Sequence, residues 1–145
     1  MADDVLEGHE ELLASARRAA GNAYAPYSGF LVGSALRCRG DGALFIGCNV
    51  ENASYGLSLC AERSAAVSAV SAGRRDFDTI AVYSEGSDPP VPCGACCQFL
   101  AEFNPALRVV VSNGVSVRTF LLSDLLPLPF GRQADCLRRE QNVYP

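Results

Sequence analysis

The sequence predicts an α/β protein in which helices pack on one mixed, five-stranded β-sheet. Helical and strand-like apolar patterns alternate along the chain in the order α-β-β-α-β-α-β-β. The composition, with 49% apolar and 19% charged residues, is that of an ordinary globular protein. The length of 145 residues suits one compact domain, residues 1–145, and no repeat or linker divides it.

The elements follow from apolar spacing and from turn residues. The first helix is expected over residues 4–24 and ends near Gly21. Gly40–Gly42 joins the first two strands as a hairpin. The pair Asn113-Gly114 predicts a tight hairpin between the last two strands, which makes them antiparallel. The predicted helices and strands cover residues 4–24, 30–39, 43–50, 60–72, 79–84, 93–103, 108–112 and 115–121.

Charge and composition argue against several function classes. Twelve basic and sixteen acidic residues give a net charge of −4, which disfavours a nucleic acid or an anionic membrane as partner. All basic residues are arginines, and without lysine there is no Schiff-base chemistry and no P-loop lysine. The single histidine, His9, is expected on the exposed face of the first helix, so a Ser-His-Asp triad or a multi-histidine metal site is not expected.

Cysteine content and the absence of targeting signals predict a cytoplasmic protein. The acidic first segment lacks the basic and apolar regions of a secretory signal, and no apolar run is long enough to cross a membrane. Seven cysteines, an odd number, do not suit a disulfide framework. Clustered cysteines in a reducing compartment bind metal or do chemistry, whereas Cys38, Cys48 and Cys136 are expected to be structural.

Three cysteines and one glutamate form the candidate site. Cys60 opens one predicted helix, and Cys93 and Cys96 open the next. The first turn of a helix offers free N–H groups and the positive end of the helix dipole, which favour thiolates. If the two helix starts meet, three thiolates converge and leave one tetrahedral position for water, as in catalytic zinc sites. Glu62 follows Cys60 closely and is positioned to move protons there.

Two other interpretations of the cysteines stay open from the residues alone. Cys93 and Cys96 could form a redox-active CxxC pair, but that function leaves Cys60 and Glu62 without a role. A structural zinc module would need a fourth protein ligand. Cys97 is the obvious candidate, although simultaneous ligation by adjacent cysteines is awkward.

The sequence resembles the cytidine deaminases of the small, homotetrameric, zinc-dependent type with three cysteine ligands. The resemblance implies a three-layer α/β/α fold and hydrolysis of cytidine and deoxycytidine to uridine and deoxyuridine with release of ammonia. It also implies Zn²⁺ on Cys60, Cys93 and Cys96, catalysis by Glu62, and water as co-substrate. The resemblance is carried by APYSGFLVG (25–33), GCNVEN (47–52), SYGLSLCAER (54–63), PCGACCQ (92–98) and DLLPLPFG (124–131).

The resemblance also implies substrate contacts. It assigns Asn49 and Glu51 to the sugar hydroxyls, Phe30 to the pyrimidine ring, and the backbone around Ala61 and Cys93 to the edge of the base. The Asn-x-Glu spacing favours a nucleoside over a blasticidin-type analogue, which is the nearest alternative substrate. The acidic net charge and the antiparallel last strands disfavour a nucleic-acid deaminase.

Further positions concern the neighbouring subunit and the metal. The resemblance implies that Tyr55 and Phe130 reach into a neighbour's site in a homotetramer with shared sites. It implies that Arg63 hydrogen-bonds the zinc thiolates. Related enzymes commonly carry a second arginine where this chain has Cys97. Arg63 is therefore expected to carry more of the charge compensation, unless Cys97 simply packs in the core.

Overall fold

The computed structural model describes residues 8–131. Its helices and strands, in chain order, are α1 (Glu10–Ala20), β1 (Gly33–Cys38), β2 (Leu44–Cys48), a 3₁₀ turn (Tyr55–Leu57), α2 (Ala61–Ser71), β3 (Phe77–Tyr83), α3 (Gly94–Ala101), β4 (Arg108–Ser112), β5 (Val117–Leu121) and α4 (Leu122–Leu125). Within this part of the chain, none of the helices has the length and apolar content needed to cross a bilayer.

The five strands form one mixed sheet in the order β2-β1-β3-β4-β5. β1 pairs antiparallel with both β2 and β3, whereas β3 and β4 are parallel. β4 and β5 pair antiparallel, as the sequence predicts. Because α3 connects the two parallel strands, its first residues lie at the end of the sheet where β3 finishes.

Each face of the sheet has its own apolar core, which gives three layers. Alternate residues of β1 point to opposite faces: Ala35 packs with α1, and Leu36 packs with α2 and α3. On the α1 side the sheet presents small residues, so the helix lies close to it. On the other side Ile80 and Val109 pack against the alanines of α2 and against Leu100 of α3. The expected three-layer α/β/α fold with five strands is confirmed.

Two glycines allow helices to lie directly against strand backbones. A Cβ added at Gly33 would overlap backbone atoms of Ala16 and Ala20 in α1. A Cβ added at Gly47 would overlap the backbone nitrogen of Ala65 and would come within 2.6 Å of the carbonyl oxygen of Ala61, both in α2. No side chain fits at either position without moving a helix. Gly47 therefore sets the distance between β2 and α2.

The first helix is shorter than predicted, and His9 is not exposed. The helix begins at Glu10 because Gly8 has a φ of 84°, which is incompatible with a helical turn. His9 stands at the N-cap position with only 7% of its surface exposed. Burial lowers the pKa of His9, with a further contribution from Arg37. Residues 4–7 of the predicted helix lie outside the described part of the chain.

The last hairpin has a longer loop than the pair Asn113-Gly114 predicts. Ser112 pairs with Val117, so four residues connect the strands instead of two. The side-chain Oδ1 of Asn113 accepts hydrogen bonds from the backbone nitrogens of Val115 and Ser116. This Asx-type arrangement competes with the tight turn, which would require a positive φ at Asn113 as well as at Gly114.

Replacing Gly47 by alanine tests the close contact between β2 and α2. Since the added methyl group meets backbone atoms instead of flexible side-chain ends, we expect Gly47→Ala to lower the free energy of unfolding by about 1–3 kcal/mol. Gly56→Ala is the matched control, because a Cβ there meets no atom within 4 Å. Urea denaturation of both variants measures the difference. Equal midpoints would show that the helix can move away without loss.

Candidate metal centre and active site

Three cysteine sulfurs converge where α2 and α3 begin. Cys60 is the N-cap residue of α2 and Cys93 is the N-cap residue of α3, with Cys96 in the first turn. The Sγ atoms of Cys60, Cys93 and Cys96 all lie within 4.8 Å of one another. Neither N-cap side chain hydrogen-bonds its own helix end. The sulfurs therefore stay available, in the field of two helix N-termini, for another partner.

The donor set and its spacing fit a zinc ion. The Sγ atoms of Cys60 and Cys93 are 3.9 Å apart. Two thiolates bound to one tetrahedral zinc at about 2.3 Å lie about 3.8 Å from each other, so this pair needs little movement to bind the ion. Within the described residues the cluster contains three protein ligands, which is the number found in catalytic zinc sites.

Arg63 lies next to the thiols. Its guanidinium Nη2 donates a hydrogen bond to Cys60 Sγ at 3.3 Å. Hydrogen bonds from Cys96 and from Arg63 lower the pKa of Cys60 to about 5, whereas the hydrogen bond to Cys60 and burial raise the pKa of Cys96. Cys60 is therefore the first of the two to ionise. The predicted contact of Arg63 with a thiol is present.

Glu62 lies in the first turn of α2 with 5% of its surface exposed. Burial raises the pKa of its carboxyl to about 7, and the charge of Cys60 acts in the same direction. A carboxyl that titrates near neutral pH can both accept and release a proton under physiological conditions. The position beside the three sulfurs gives this group access to whatever the metal binds.

A cleft lies near the cluster where the segment after β2 pairs with the segment before α2. Val50 and Leu59 exchange two backbone hydrogen bonds of 2.9 Å, an antiparallel bridge that sets Asn49 opposite Cys60 and Glu51 opposite Ser58. Tyr24 pairs with the same segment on its other side: its nitrogen donates to Asn49 and its oxygen accepts from Glu51. This three-segment arrangement holds the GCNVEN motif against the metal ligands.

Glu51 and Tyr55 line this cleft, which we call the Glu51 cleft. Its walls are Tyr27, Ser28, Glu51, Tyr55 and Ser58. Glu51 accepts hydrogen bonds from the backbone nitrogens of Tyr27 and Ser28 and a 2.6 Å bond from the Ser28 hydroxyl. The Ser28 bonds lower the pKa of Glu51, so its carboxylate is ionised at neutral pH. Tyr55 meets Tyr27 edge to face at 5.7 Å.

The Asn49 side chain holds the neighbouring loop of its own chain. Its Nδ2 donates to the carbonyl oxygen of Phe30 at 2.7 Å, and its Oδ1 accepts from the nitrogen of Val32. One N–H and one lone pair of the carboxamide remain for a ligand. The Phe30 ring is half exposed and lines a separate cleft with Arg17 and Tyr83. Phe30 and Glu51 therefore do not share one cavity in the single chain.

The remaining predicted residues are Ala61 and Phe130. Ala61 is the first residue of α2, fully buried between Cys60 and Glu62, and its backbone faces β2 at Gly47. Phe130 has 90% of its surface exposed and touches no aromatic ring within the described residues. The single chain therefore brings together the metal ligands, Glu62 and the Glu51 cleft, and it leaves Phe130 projecting outward.

Comparison with known proteins identifies the family. A family model described as the cytidine and deoxycytidylate deaminase zinc-binding region matches residues 6–113. The chain belongs to this family. A cytidine deaminase from Halalkalibacterium halodurans is 46% identical over 121 residues, which cover 82% of this chain and 91% of that enzyme.

Two further relatives define the similarity. The crystal structure of a cytidine deaminase from Burkholderia pseudomallei matches with a TM-score of 0.81 at 51% identity, covering 84% of this chain and 98% of that one. A blasticidin-S deaminase from Bacillus cereus is 34% identical over 110 residues, or 70% of this chain and 77% of that enzyme. The resemblance inferred from the motifs is confirmed, and the Cys60–Cys93–Cys96 cluster fits the zinc of this deaminase family.

Cys97, the clearest departure from the pattern of related enzymes, packs in the core. Its side chain is 2% exposed and belongs to the apolar cluster between the sheet and α2 and α3. Its thiol donates to the carbonyl oxygen of Pro92 at 3.7 Å, and it is not part of the sulfur cluster. A structural zinc site with Cys97 as fourth ligand therefore has no support. Cys38 is buried as expected, and Cys136 lies outside the described residues.

Three polar residues of the deaminase site were not singled out from the sequence. Ser28 anchors Glu51, Tyr27 forms a wall of the Glu51 cleft, and Gln98 binds the backbone of Phe130. Ser28 and Tyr27 lie within the quoted motif 25–33, so their place in it was a usable signal. Gln98 closes the motif PCGACCQ, but its partner is 32 residues away in the chain, a pairing that spacing does not reveal.

Removing one thiolate tests the metal centre. We expect Cys93→Ser to lower the zinc content from about one ion per chain to near zero in the presence of a competing chelator, because two thiolates hold zinc far more weakly than three. Cys93 is exposed, so the change does not disturb the core. Elemental analysis gives the zinc content. Cys48→Ser, outside the sulfur cluster, is the control and keeps its zinc; equal zinc in both variants would contradict the assignment.

Proposed function

We propose that the protein is a zinc-dependent hydrolase that converts cytidine and deoxycytidine to uridine and deoxyuridine with release of ammonia. The observation that carries the proposal is a buried glutamate, Glu62, in the helical turn that follows Cys60, whose thiol converges with two others. The Glu51 cleft, with its ionised carboxylate, reaches this turn through Ser58. Membership of the cytidine and deoxycytidylate deaminase family supports the reaction class. The 46% identical cytidine deaminase supports the choice of a nucleoside.

Zinc, when held by Cys60, Cys93 and Cys96, supplies Lewis-acid activation of a water nucleophile. Glu62 accepts one proton from this water and delivers it to N3 of the cytosine ring, which makes C4 electrophilic. The water oxygen then bonds to C4. Glu62 carries the second water proton to the exocyclic amine, the C4–N bond breaks, and ammonia leaves. A pKa of Glu62 near 7 lets its carboxyl act in turn as proton acceptor and as proton donor at neutral pH.

The Glu51 cleft supports recognition of a sugar with free hydroxyls. Glu51 uses three acceptor positions on Tyr27 and Ser28. A carboxylate has about four such positions, so one remains for a sugar hydroxyl. The lining residues include no arginine, and the ionised Glu51 would repel a 5′-phosphate. These features favour nucleosides over nucleotides, with Asn49 as a further hydroxyl contact, Phe30 against the base and the Ala61 backbone at its edge.

We also propose that the enzyme is a homotetramer in which Tyr55 and Phe130 complete a neighbour's site. Exposed apolar side chains support an assembly: Tyr55 is 74% exposed, Leu128 is 91% exposed and Phe130 is 90% exposed. Leu128 and Phe130 lie two residues apart, and exposed apolar side chains that are grouped in this way mark interaction surfaces. Phe130 meets no substrate-binding residue of its own chain among those described, which is consistent with a role in another copy.

A cytosine-nucleoside analogue is the second candidate substrate, since a blasticidin-S deaminase is among the relatives. We place the enzyme in pyrimidine salvage in the cytoplasm, as a single deaminase domain over residues 1–145. The cysteines of the described residues are free thiols, which suits a reducing compartment. A redox role for Cys93 and Cys96 has less support, because it leaves Cys60, whose sulfur belongs to the same cluster, and the buried Glu62 without a function.

Loss of cytidine absorbance with the purified protein tests the function directly. The proposal requires turnover of cytidine, loss of turnover after zinc chelation, and recovery when zinc is restored. Deoxycytidine, deoxycytidine monophosphate and blasticidin S, assayed in parallel, separate the substrate classes. A nucleotide preferred over both nucleosides would contradict the argument from Glu51.

Glu62→Gln tests the proton carrier. The amide keeps the shape and removes the titratable group, so we expect zinc content to stay unchanged and kcat to fall by at least about 10²–10⁴-fold. Glu11→Gln, on the exposed face of α1, is the control and keeps parental kcat. Turnover of Glu62→Gln within tenfold of the parent would show that another group moves the protons.

Mixed oligomers test the shared site. Chains with Glu62→Gln lack the proton carrier but keep Phe130. Chains with Phe130→Ala keep Glu62 but lack the aromatic ring. If Phe130 serves a neighbour, dissociating and reassociating the two variants together restores part of the activity that each lacks alone. Mass spectrometry of the intact assemblies verifies mixing. Failure to recover activity in confirmed hetero-oligomers would mean that each site is built within one chain.

A further inference from the structure

We propose that Gln98 is a positioning residue that fixes Phe130 for use by a second copy of the chain. Its carboxamide makes two reciprocal hydrogen bonds with the Phe130 backbone: Nε2 donates to the carbonyl oxygen at 2.9 Å, and Oε1 accepts from the nitrogen at 2.8 Å. Two bonds, one to the N–H and one to the C=O of the same residue, fix both its position and its rotation. This inference rests on the proposed role of Phe130.

The segment that carries Phe130 has little else to hold it. α4 ends at Leu125, and within the described residues the backbone of 127–131 makes no hydrogen bond besides the two to Gln98. Leu128 and Phe130 are both at least 90% exposed, so their side chains contribute almost no packing within the chain. Without Gln98 this segment would sample many conformations. Binding of the Phe130 ring in a neighbour's site would then carry the entropic cost of ordering the segment.

The side-chain chemistry at position 98 suits the task. A carboxamide carries an acceptor oxygen and a donor nitrogen on the same carbon, so it can pair with the N–H and the C=O of Phe130 at once. An ionised carboxylate could accept from the N–H but could not donate to the C=O. Gln98 is partly buried on α3, the helix whose first turn holds Cys93 and Cys96. Through Gln98, the position of the Phe130 ring is thus fixed relative to α3, the helix that holds Cys93 and Cys96 in the same chain.

A second copy of this chain is the occupant that fits the Phe130 ring. The Glu51 cleft has the half-exposed ring of Tyr27 in its wall, and the described residues that line the cleft leave this ring open to a partner. An exposed phenylalanine on a restrained backbone covers such a ring at low entropic cost. The flexible alternative, a ring on an unrestrained segment, would cover a neighbour's cleft less often.

A double-mutant cycle measures whether Gln98 acts through Phe130. Gln98→Met keeps the side-chain length and helix propensity but removes both hydrogen bonds. We expect kcat/KM for cytidine to fall about tenfold, mainly through KM, since two hydrogen bonds to a mobile segment are lost. Zinc content stays parental. In the Phe130→Ala background the same change lowers kcat/KM less than twofold, because the ring it positions is already absent.

Mixed assemblies distinguish positioning of Phe130 by Gln98 from a role of Gln98 in stabilising α3, the helix that carries Cys96. Gln98→Met chains are reassembled with a fivefold excess of Glu62→Gln chains, so that active sites of the former receive Phe130 from the latter. We expect KM to return to the parental value at the sites that remain active. If Gln98 only stabilised α3 around Cys96, the defect would stay in its own chain and KM would not recover.

The outcomes distinguish the inference from the function it rests on. Unchanged kinetics and assembly in Phe130→Ala alone would overturn the shared site itself. A damaging Phe130→Ala with a harmless Gln98→Met, with additive penalties in the double variant, or with no recovery of KM in mixed assemblies would overturn the positioning role alone.

Discussion

The contact between the backbones of β2 and α2 at Gly47 determines where the site lies. With no Cβ at this position, the strand lies against the first turns of the helix. The chain that leaves β2 then pairs, through Val50, with the chain that enters α2. The carboxylate of Glu51 and the thiol of Cys60 belong to these two segments. The strand–helix distance at Gly47 therefore sets how far the wall of the Glu51 cleft lies from the three thiols.

Charge balance is the second constraint on the site. Three thiolates around Zn²⁺ leave a net charge of about −1 beside the carboxyl of Glu62. Arg63 and two helix N-termini offset it, and each acts on the sulfurs directly. Cys97 contributes no charge, since it is buried among apolar residues with its thiol on Pro92. Among the described residues, the guanidinium that hydrogen-bonds a sulfur of the cluster is that of Arg63.

The sequence predicts the metal centre better than the clefts, for a physical reason. Cysteines at helix starts are visible as local patterns, and the structure brings Cys60, Cys93 and Cys96 together as expected. The loop length of the last hairpin and the exposure of His9 are mispredicted, because side-chain hydrogen bonding by Asn113 and tertiary burial override local preference. The hydrogen bonds between Gln98 and Phe130 depend on how two segments that are distant in sequence are placed in the fold. Local sequence patterns carry no information about that placement.

The two hydrogen bonds of Asn49 to its own loop bear on how substrate preference can evolve. A residue that holds Phe30 and Val32 in place cannot be exchanged to suit a new sugar without also releasing the loop that carries the aromatic ring. Substitutions that change the sugar preference are therefore less easily tolerated at Asn49 than at Ser28. Ser28 is exposed, and its hydroxyl donates a hydrogen bond to Glu51. On the proposed role of Asn49 as a hydroxyl contact, the loop structure and the recognition of the sugar depend on the same side chain, and adaptation is expected at other positions first.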